Sequence, residues 1–135
     1  MTSFEKILSA SDIGRTGGHM GGVLIPRTEL GLIALFPTLS PLQYNPSIFL
    51  NFKAPNNLVY KVRFIYYNNK IHGKGTRNEY RLTCLTVFLR NSNADIGDGF
   101  RISRDENGAF YMEVKKHQEE PLSPIIKLVG WNRVC

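Results

Sequence analysis

The feature that most limits what this chain can become is a succession of short runs rich in β-branched and aromatic residues. "SIFLNFK" (47–53), "LVYKVRFIYY" (58–67) and "YRLTCLTVFLR" (80–90) are of this kind, and Asn, Pro or Gly bound them. Alternation at period two puts one set of side chains on a buried face and the other in solvent, the pattern of a half-buried strand. "FEKILSAS" and "VLIPR" add two more strands, "GFRISRDENGAFYMEVKK" reads as a hairpin turning at "ENG", and "PIIKLVGW" as a last strand. Only "TELGLIALF" has helical spacing, with Thr28 as its N-cap and Pro37 as its stop. The expected fold is mainly β: about seven short strands and one or two short helices in a closed or nearly closed barrel, which hides the sheet edges.

With 135 residues, 42% of them hydrophobic and 21% charged, the chain is one globular domain, expected to span 1–135 without a linker or repeat. Cys84 and Cys135 form neither a CxxC pair nor a zinc spacing, so no disulfide framework, metal or other cofactor is implied. "MTSFEKILSASD" lacks the apolar core of a signal peptide, and no segment approaches a membrane span, so no membrane partner is expected. The expected location is the cytoplasm of a prokaryotic-type cell. Seventeen Lys and Arg against eleven Asp and Glu leave a net charge of +6, which suits a polyanionic partner because each neutralised phosphate releases counterions.

Two polar loops stand out. "SDIGRTGGHMGG" holds five glycines in twelve residues, too many for a regular element, and places His19 between glycine pairs. Such backbone can approach a phosphate or a base closely, although an incidental histidine in a flexible connector is also compatible with the pattern. The second loop lies within "IYYNNKIHGKGTRNEYRLT" (65–83), where one acidic residue, Glu79, sits among Lys70, His72, Lys74, Arg77 and Arg81. A segment that held only phosphates would gain nothing from Glu79. In the major groove, however, a carboxylate accepts from cytosine N4 and an arginine beside it takes guanine O6 and N7, so Glu and Arg together can read a C·G pair. A local Arg77–Glu79 or Glu79–Arg81 ion pair on one strand face accounts for the same residues, since positions two apart share a side.

"LSASDIGRTGGHMGGVLIP" (8–26), "NPSIFL" (45–50) and "IYYNNKIHGKGTRNEYRLT" (65–83) resemble the N-terminal DNA-binding domains of EcoRII-type restriction endonucleases. The paired motifs TGGH (16–19) and TRNE (76–79), in this order, carry the likeness. It implies a DNA-binding pseudobarrel similar to the plant B-three domains, from which an N-arm (about 10–24) and a C-arm (about 68–81) grip the major groove. By the resemblance the DNA-binding residues are Arg15, Thr16, Gly18, His19 and Leu24 in the N-arm, and Asn69, Lys70, Lys74, Arg77, Asn78, Glu79, Tyr80 and Arg81 in the C-arm. Leu24 stands where the family enzyme has a tyrosine, Tyr80 where it has a lysine, and Gly75 looks like an insertion. The resemblance further implies recognition of double-stranded CC(A/T)GG by a monomer, and a parent polypeptide whose separate nuclease domain does the cutting.

Three other readings compete, one of them single-stranded nucleic-acid binding on stacked aromatic rings, which implies little preference for duplex. Asp98 or Asp105 with Glu113 and Lys115 ("MEVKK") imitates the D…ExK pattern of Mg²⁺-dependent nucleases. Tyr44, Tyr66, Tyr67 and Tyr111 offer, alternatively, rings for a sugar- or protein-binding barrel surface.

Overall fold

The structure is a computed structural model and describes residues 1–14, 22–117 and 130–134. Strands β1 (Thr2–Ile7), β2 (Val23–Ile25), β3 (Ser47–Lys53), β4 (Val59–Tyr67), β5 (Glu79–Thr83), β6 (Gly99–Arg104), β7 (Phe110–Lys115) and β8 (Trp131–Val134) accompany two short helices, α1 (Leu30–Ile33) and α2 (Thr86–Asn91). The strands form one sheet in the order β2-β5-β4-β3-β7-β6-β1-β8, antiparallel except where β3 meets β7. Its alternating residues enclose a single core: Phe52, Val62, Phe64, Leu82, Phe100 and Ile102 are fully buried. Among the described residues the strands number eight, one more than the sequence pattern predicted.

The sheet curls until its outermost strands, β2 and β8, face each other. No ladder joins them; instead the Trp131 indole N–H donates to the Leu24 carbonyl at 2.9 Å. The same ring meets Phe100 edge-on at 5.9 Å, so one side chain plugs the core and bridges the seam. A seam held by a side chain is how a nearly closed barrel protects edges that lack a strand partner.

Two expectations need correction. "YRLTCLTVFLR" is a strand only as far as Thr83: Cys84 takes a left-handed φ of 65° and the chain enters α2. Leu85, Phe88 and Leu89, spaced i, i+3 and i+4, are all buried, so this apolar run obeys the helical period at its second half. "TELGLIALF" supplies only the four residues of α1, and Thr28 does not cap it: Glu29 holds the N-cap position without a side-chain bond. Of "PIIKLVGW", residues 124–129 lie outside the described residues, and Trp131 opens strand β8. The "ENG" hairpin is as expected. Asp105 accepts from the amides of Asn107 and Ala109 at 2.9 Å each, and Gly108 takes φ 85° in the turn.

The seam makes a prediction. Trp131→Phe keeps a ring against Phe100 but strands the Leu24 carbonyl, and is expected to cost about 1 kcal/mol of stability. Trp131→Ala also leaves a cavity and is expected to cost about 3–5 kcal/mol. Urea unfolding of the two variants measures both, and an unchanged stability of Trp131→Phe would place the indole N–H outside the seam's energetics.

Candidate nucleic-acid interface

The period-two alternation of β5 decides which side chains form the site. Tyr80 and Leu82 face the core, which turns Glu79, Arg81 and Thr83 to the outer face of the sheet. On that face Glu79 is clamped. Arg77 Nε donates to Oε1 at 2.9 Å, while Arg81 Nε and Nη2 both lie 3.1 Å from Oε2. Partial burial pushes the Glu79 carboxyl up, but the hydrogen bond from Arg77 and the charge and bond of Arg81 outweigh it and hold the group below its usual 4.5. Arg77 is oriented from beneath as well, its guanidinium stacked 3.7 Å from the centre of the Tyr67 ring. The local-pair and base-reading accounts of Glu79 are therefore not exclusive in geometry. A carboxylate offers about four acceptor sites, and three guanidinium contacts leave room for one more donor.

The other C-arm residues divide by what they touch. Lys70 is exposed, and its amide donates to the Arg77 carbonyl at 3.0 Å, which closes the loop between β4 and β5. Lys74 lies 4.9 Å above the Tyr44 ring, and Asn69 Nδ2 donates to the Tyr44 hydroxyl at 2.8 Å. Asn78 Oδ1 accepts from the Tyr66 hydroxyl at 2.5 Å, tying the end of the arm to β4. Tyr80 does not join the outer cluster: it stacks between Tyr66 (4.4 Å) and Phe64 (5.4 Å), on the opposite face from Glu79. Its burial, and then the Tyr66 phenol, push its hydroxyl above the usual 10.0.

Arg15, Thr16, Gly18 and His19 lie outside the described residues. The return of the N-arm is described, however. Gly22, at φ 83°, runs so close to β5 that a Cβ there would collide with the Leu82 carbonyl, and its own carbonyl accepts from Arg81 Nη1 at 3.2 Å. Leu24 follows on β2, paired with Arg81 and facing outward. The roots of both arms thus meet at Arg81. The outer face also carries Arg63, which the sequence reading passed over. Arg63 donates to Thr83 Oγ1 at 3.2 Å and approaches the Tyr67 hydroxyl at 3.5 Å, extending the basic cluster along β4. The i, i+4 spacing of Arg63 and Tyr67 within an alternating strand was the available signal.

The D…ExK candidates do not converge. Asp98 is buried and accepts from Lys116 Nζ (2.6 Å) and from the amides of His117 and Asp95 (2.8 Å each), fixing the loop before β6. Asp105 is engaged in the hairpin turn and by the Tyr111 hydroxyl at 3.0 Å, and Glu113 lies 3.9 Å from Lys115. Among the described residues no group of three or more His, Cys, Asp or Glu is placed to hold a metal ion. The four tyrosines form no common surface either: Tyr66 is buried, Tyr67 lies under Arg77, Tyr111 holds Asp105 and Tyr44 is engaged by the C-arm. No helix among the described residues is long and apolar enough to cross a membrane.

Residues 1–99 match the family model described as restriction endonuclease EcoRII, N-terminal. Over 87 residues the chain is 42% identical to the type II restriction enzyme EcoRII of Escherichia coli, an alignment that covers 59% of this chain and 20% of that enzyme. The match thus spans only about a fifth of that relative's length. Among solved structures, the B3 domain of the UbaLAI restriction endonuclease, crystallised with cognate DNA, aligns with a TM-score of 0.57. The alignment covers 98% of this chain and 87% of that one at 20% identity, and it identifies the fold as the B3 pseudobarrel.

Asp98 provides a test in acid. Burial raises its carboxyl, but the Lys116 bond and two amide bonds hold it below its usual 3.8. Because the folded state binds this proton less readily than the unfolded chain, the contribution is complete above pH 3.8 and fades as pH falls through the folded value. Asp98→Asn is expected to cost about 2–4 kcal/mol at neutral pH and to flatten the acid end of the stability profile. Urea midpoints between neutral pH and acid measure it, and an unchanged profile would remove Asp98 from the structural framework.

Proposed function

The chain belongs to the EcoRII N-terminal family of restriction-endonuclease domains, and on that premise we propose that it reads duplex DNA for a type II restriction enzyme. The observation that carries the proposal is the Glu79 carboxylate, held by Arg77 and Arg81 on an outward sheet face at the point where both arms begin. In this reading Glu79 accepts from cytosine N4 through its remaining acceptor site, and Arg77 and Arg81 supply bidentate donors for guanine. Lys70 and Lys74 take phosphates, while Asn69 and Asn78 shape the C-arm from which these groups project. Arg15, Thr16, Gly18 and His19 contact the other half of the site from the N-arm, with Leu24 in apolar contact at its end. Tyr80 serves the site from inside the barrel. The target is CC(A/T)GG, nearly palindromic, so a monomer with two unlike arms takes one half with each.

The domain acts as the target- or effector-recognition part of a larger polypeptide in the prokaryotic cytoplasm and does not itself cut DNA. The separate nuclease domain of that polypeptide supplies hydrolysis. The engagement of Asp98 and Asp105 in backbone turns supports this division of labour. Supercoiled plasmid incubated with the chain and Mg²⁺ should stay supercoiled; nicking abolished by Glu113→Gln would reinstate the nuclease reading.

Binding should weaken with salt by a log–log slope of about −0.9 per phosphate neutralised. Glu79→Ala is expected to cost on the order of 1–3 kcal/mol on CC(A/T)GG duplex and much less on random duplex. Lys74→Ala is expected to weaken both about equally and to reduce the salt slope by about one. Anisotropy titrations of both duplexes at one salt concentration compare them. Parallel losses for Glu79→Ala would reduce Glu79 to an ion-pair partner of the two arginines.

A further inference from the structure

The C-arm rests on a second loop. Asn68, the first residue beyond β4, is fully buried, yet its polar groups are engaged by residues 41–45. Its Nδ2 donates to the Gln43 carbonyl at 2.7 Å and to the Pro41 carbonyl at 3.3 Å. Its Oδ1 accepts from the Asn45 amide at 2.7 Å, and its own amide donates to Asn45 Oδ1 at 3.1 Å. Asn45 completes this reciprocal pair from a left-handed φ of 47°. Further along the arm three side chains converge on Tyr44: the Asn69 amide on its hydroxyl, the Lys74 ammonium on its ring, and His72 at its edge, 5.7 Å between ring centres. Asn69 Oδ1 is buried without a partner among the described residues, so the Tyr44 hydroxyl is what holds that amide.

We propose that residues 37–46 are a brace that fixes the C-arm in its base-reading conformation before DNA arrives, with Tyr44 as the positioning residue. This rests on the DNA-reading function proposed above. The arm contains Gly73 and Gly75, both at positive φ, and a loop so built has many conformations to lose. Ordering it in advance removes that loss from the binding step. Tyr44 acts through Asn69 and Lys74, which precede the reading residues Arg77 and Glu79 in the arm. Its side chain is half exposed, so truncating it should leave the barrel core intact, whereas replacing Asn68 would endanger the fold.

Two measurements test the brace. In the DNA-free domain, hydrogen exchange of the arm amides of Lys70, Ile71 and Lys74 should quicken about tenfold or more in Tyr44→Ala, while β4 and β5 keep their protection and the melting temperature holds. Unchanged exchange would overturn the proposal. On DNA, Tyr44→Ala should lower cognate affinity on the order of tenfold and random-duplex affinity less than about twofold, with Tyr44→Phe, which keeps the ring over Lys74, intermediate. In a double-mutant cycle, Tyr44→Ala should lose most of its effect once Asn69 and Lys74 are alanine. An effect of full size in that background would make Tyr44 a direct DNA contact and overturn its positioning role. A wild-type domain without preference for the cognate duplex would instead defeat the DNA reading, and the exchange rates would still decide the brace.

Discussion

Everything on the outer face depends on the insertion of Tyr80 between Phe64 and Tyr66. β5 is five residues long, entered from a loop and left through a left-handed residue, so its register on β4 is fixed by which side chains are inside. With Tyr80 stacked and Leu82 buried, Glu79 and Arg81 must point outward. A slip by one residue would send both charges into the core and the two apolar groups into water. The penalty for burying a charge away from its partners is several kcal/mol, which makes this register far better defined than five ladder positions alone would. The stack continues from Phe64 to Phe36 at 4.3 Å and from Phe36 to Phe110 at 5.9 Å, so the reading face is referenced to the centre of the barrel.

That rigidity gives the Arg77–Glu79–Arg81 group its meaning. An exposed ion pair is normally worth little, because two long side chains must be ordered for a screened attraction. Here the ordering is shared: Tyr67 holds Arg77 by its face, the Gly22 carbonyl holds Arg81, and the sheet holds Glu79. The carboxylate also keeps two guanidiniums close together that would otherwise repel. The surface thus holds an acceptor flanked by donors already in place, the arrangement that the proposed base reading requires, and the net charge of +6 suits a polyanion without regard to sequence.

The sequence disclosed strands wherever period-two alternation ran uninterrupted between turn residues. β3 coincides with "SIFLNFK", and the β6–β7 hairpin turns where "ENG" stands. It failed where a short apolar run satisfied two periods at once: Leu82 belongs to a strand, but Leu85, Phe88 and Leu89 belong to a helix, and only the backbone reversal at Cys84 separates them. Thr28 was a plausible cap by type, yet the helix it was meant to start is a single turn after a Pro26–Glu29 bend. Within the site, Arg77, Glu79 and Arg81 were legible because they are close in sequence and alternate. The brace was not, because Asn45 and Asn68 are 23 residues apart and neither type announces a partner at that distance. The N-arm histidine, legible by motif, lies outside the described residues.

The two departures from the family pattern differ in kind once the faces are known. By the resemblance, Leu24 stands where the family enzyme has a tyrosine. Its backbone carbonyl holds Trp131 across the seam, while its side chain points outward beside Arg81. Seam and surface therefore use different atoms of one residue, and the side chain is free to change what the surface offers without opening the barrel. Tyr80, which by the resemblance stands where the family enzyme has a lysine, places its ring within the stack that sets the register. A lysine there would have to run its stem past Phe64 and Tyr66 to bring its ammonium to water, as long cationic side chains do. On that resemblance, tyrosine in place of lysine gives up a positive charge at the end of the C-arm and adds aromatic area to its foundation. In this chain the positive charge on that outer face is carried by Arg77 and Arg81, which flank Glu79.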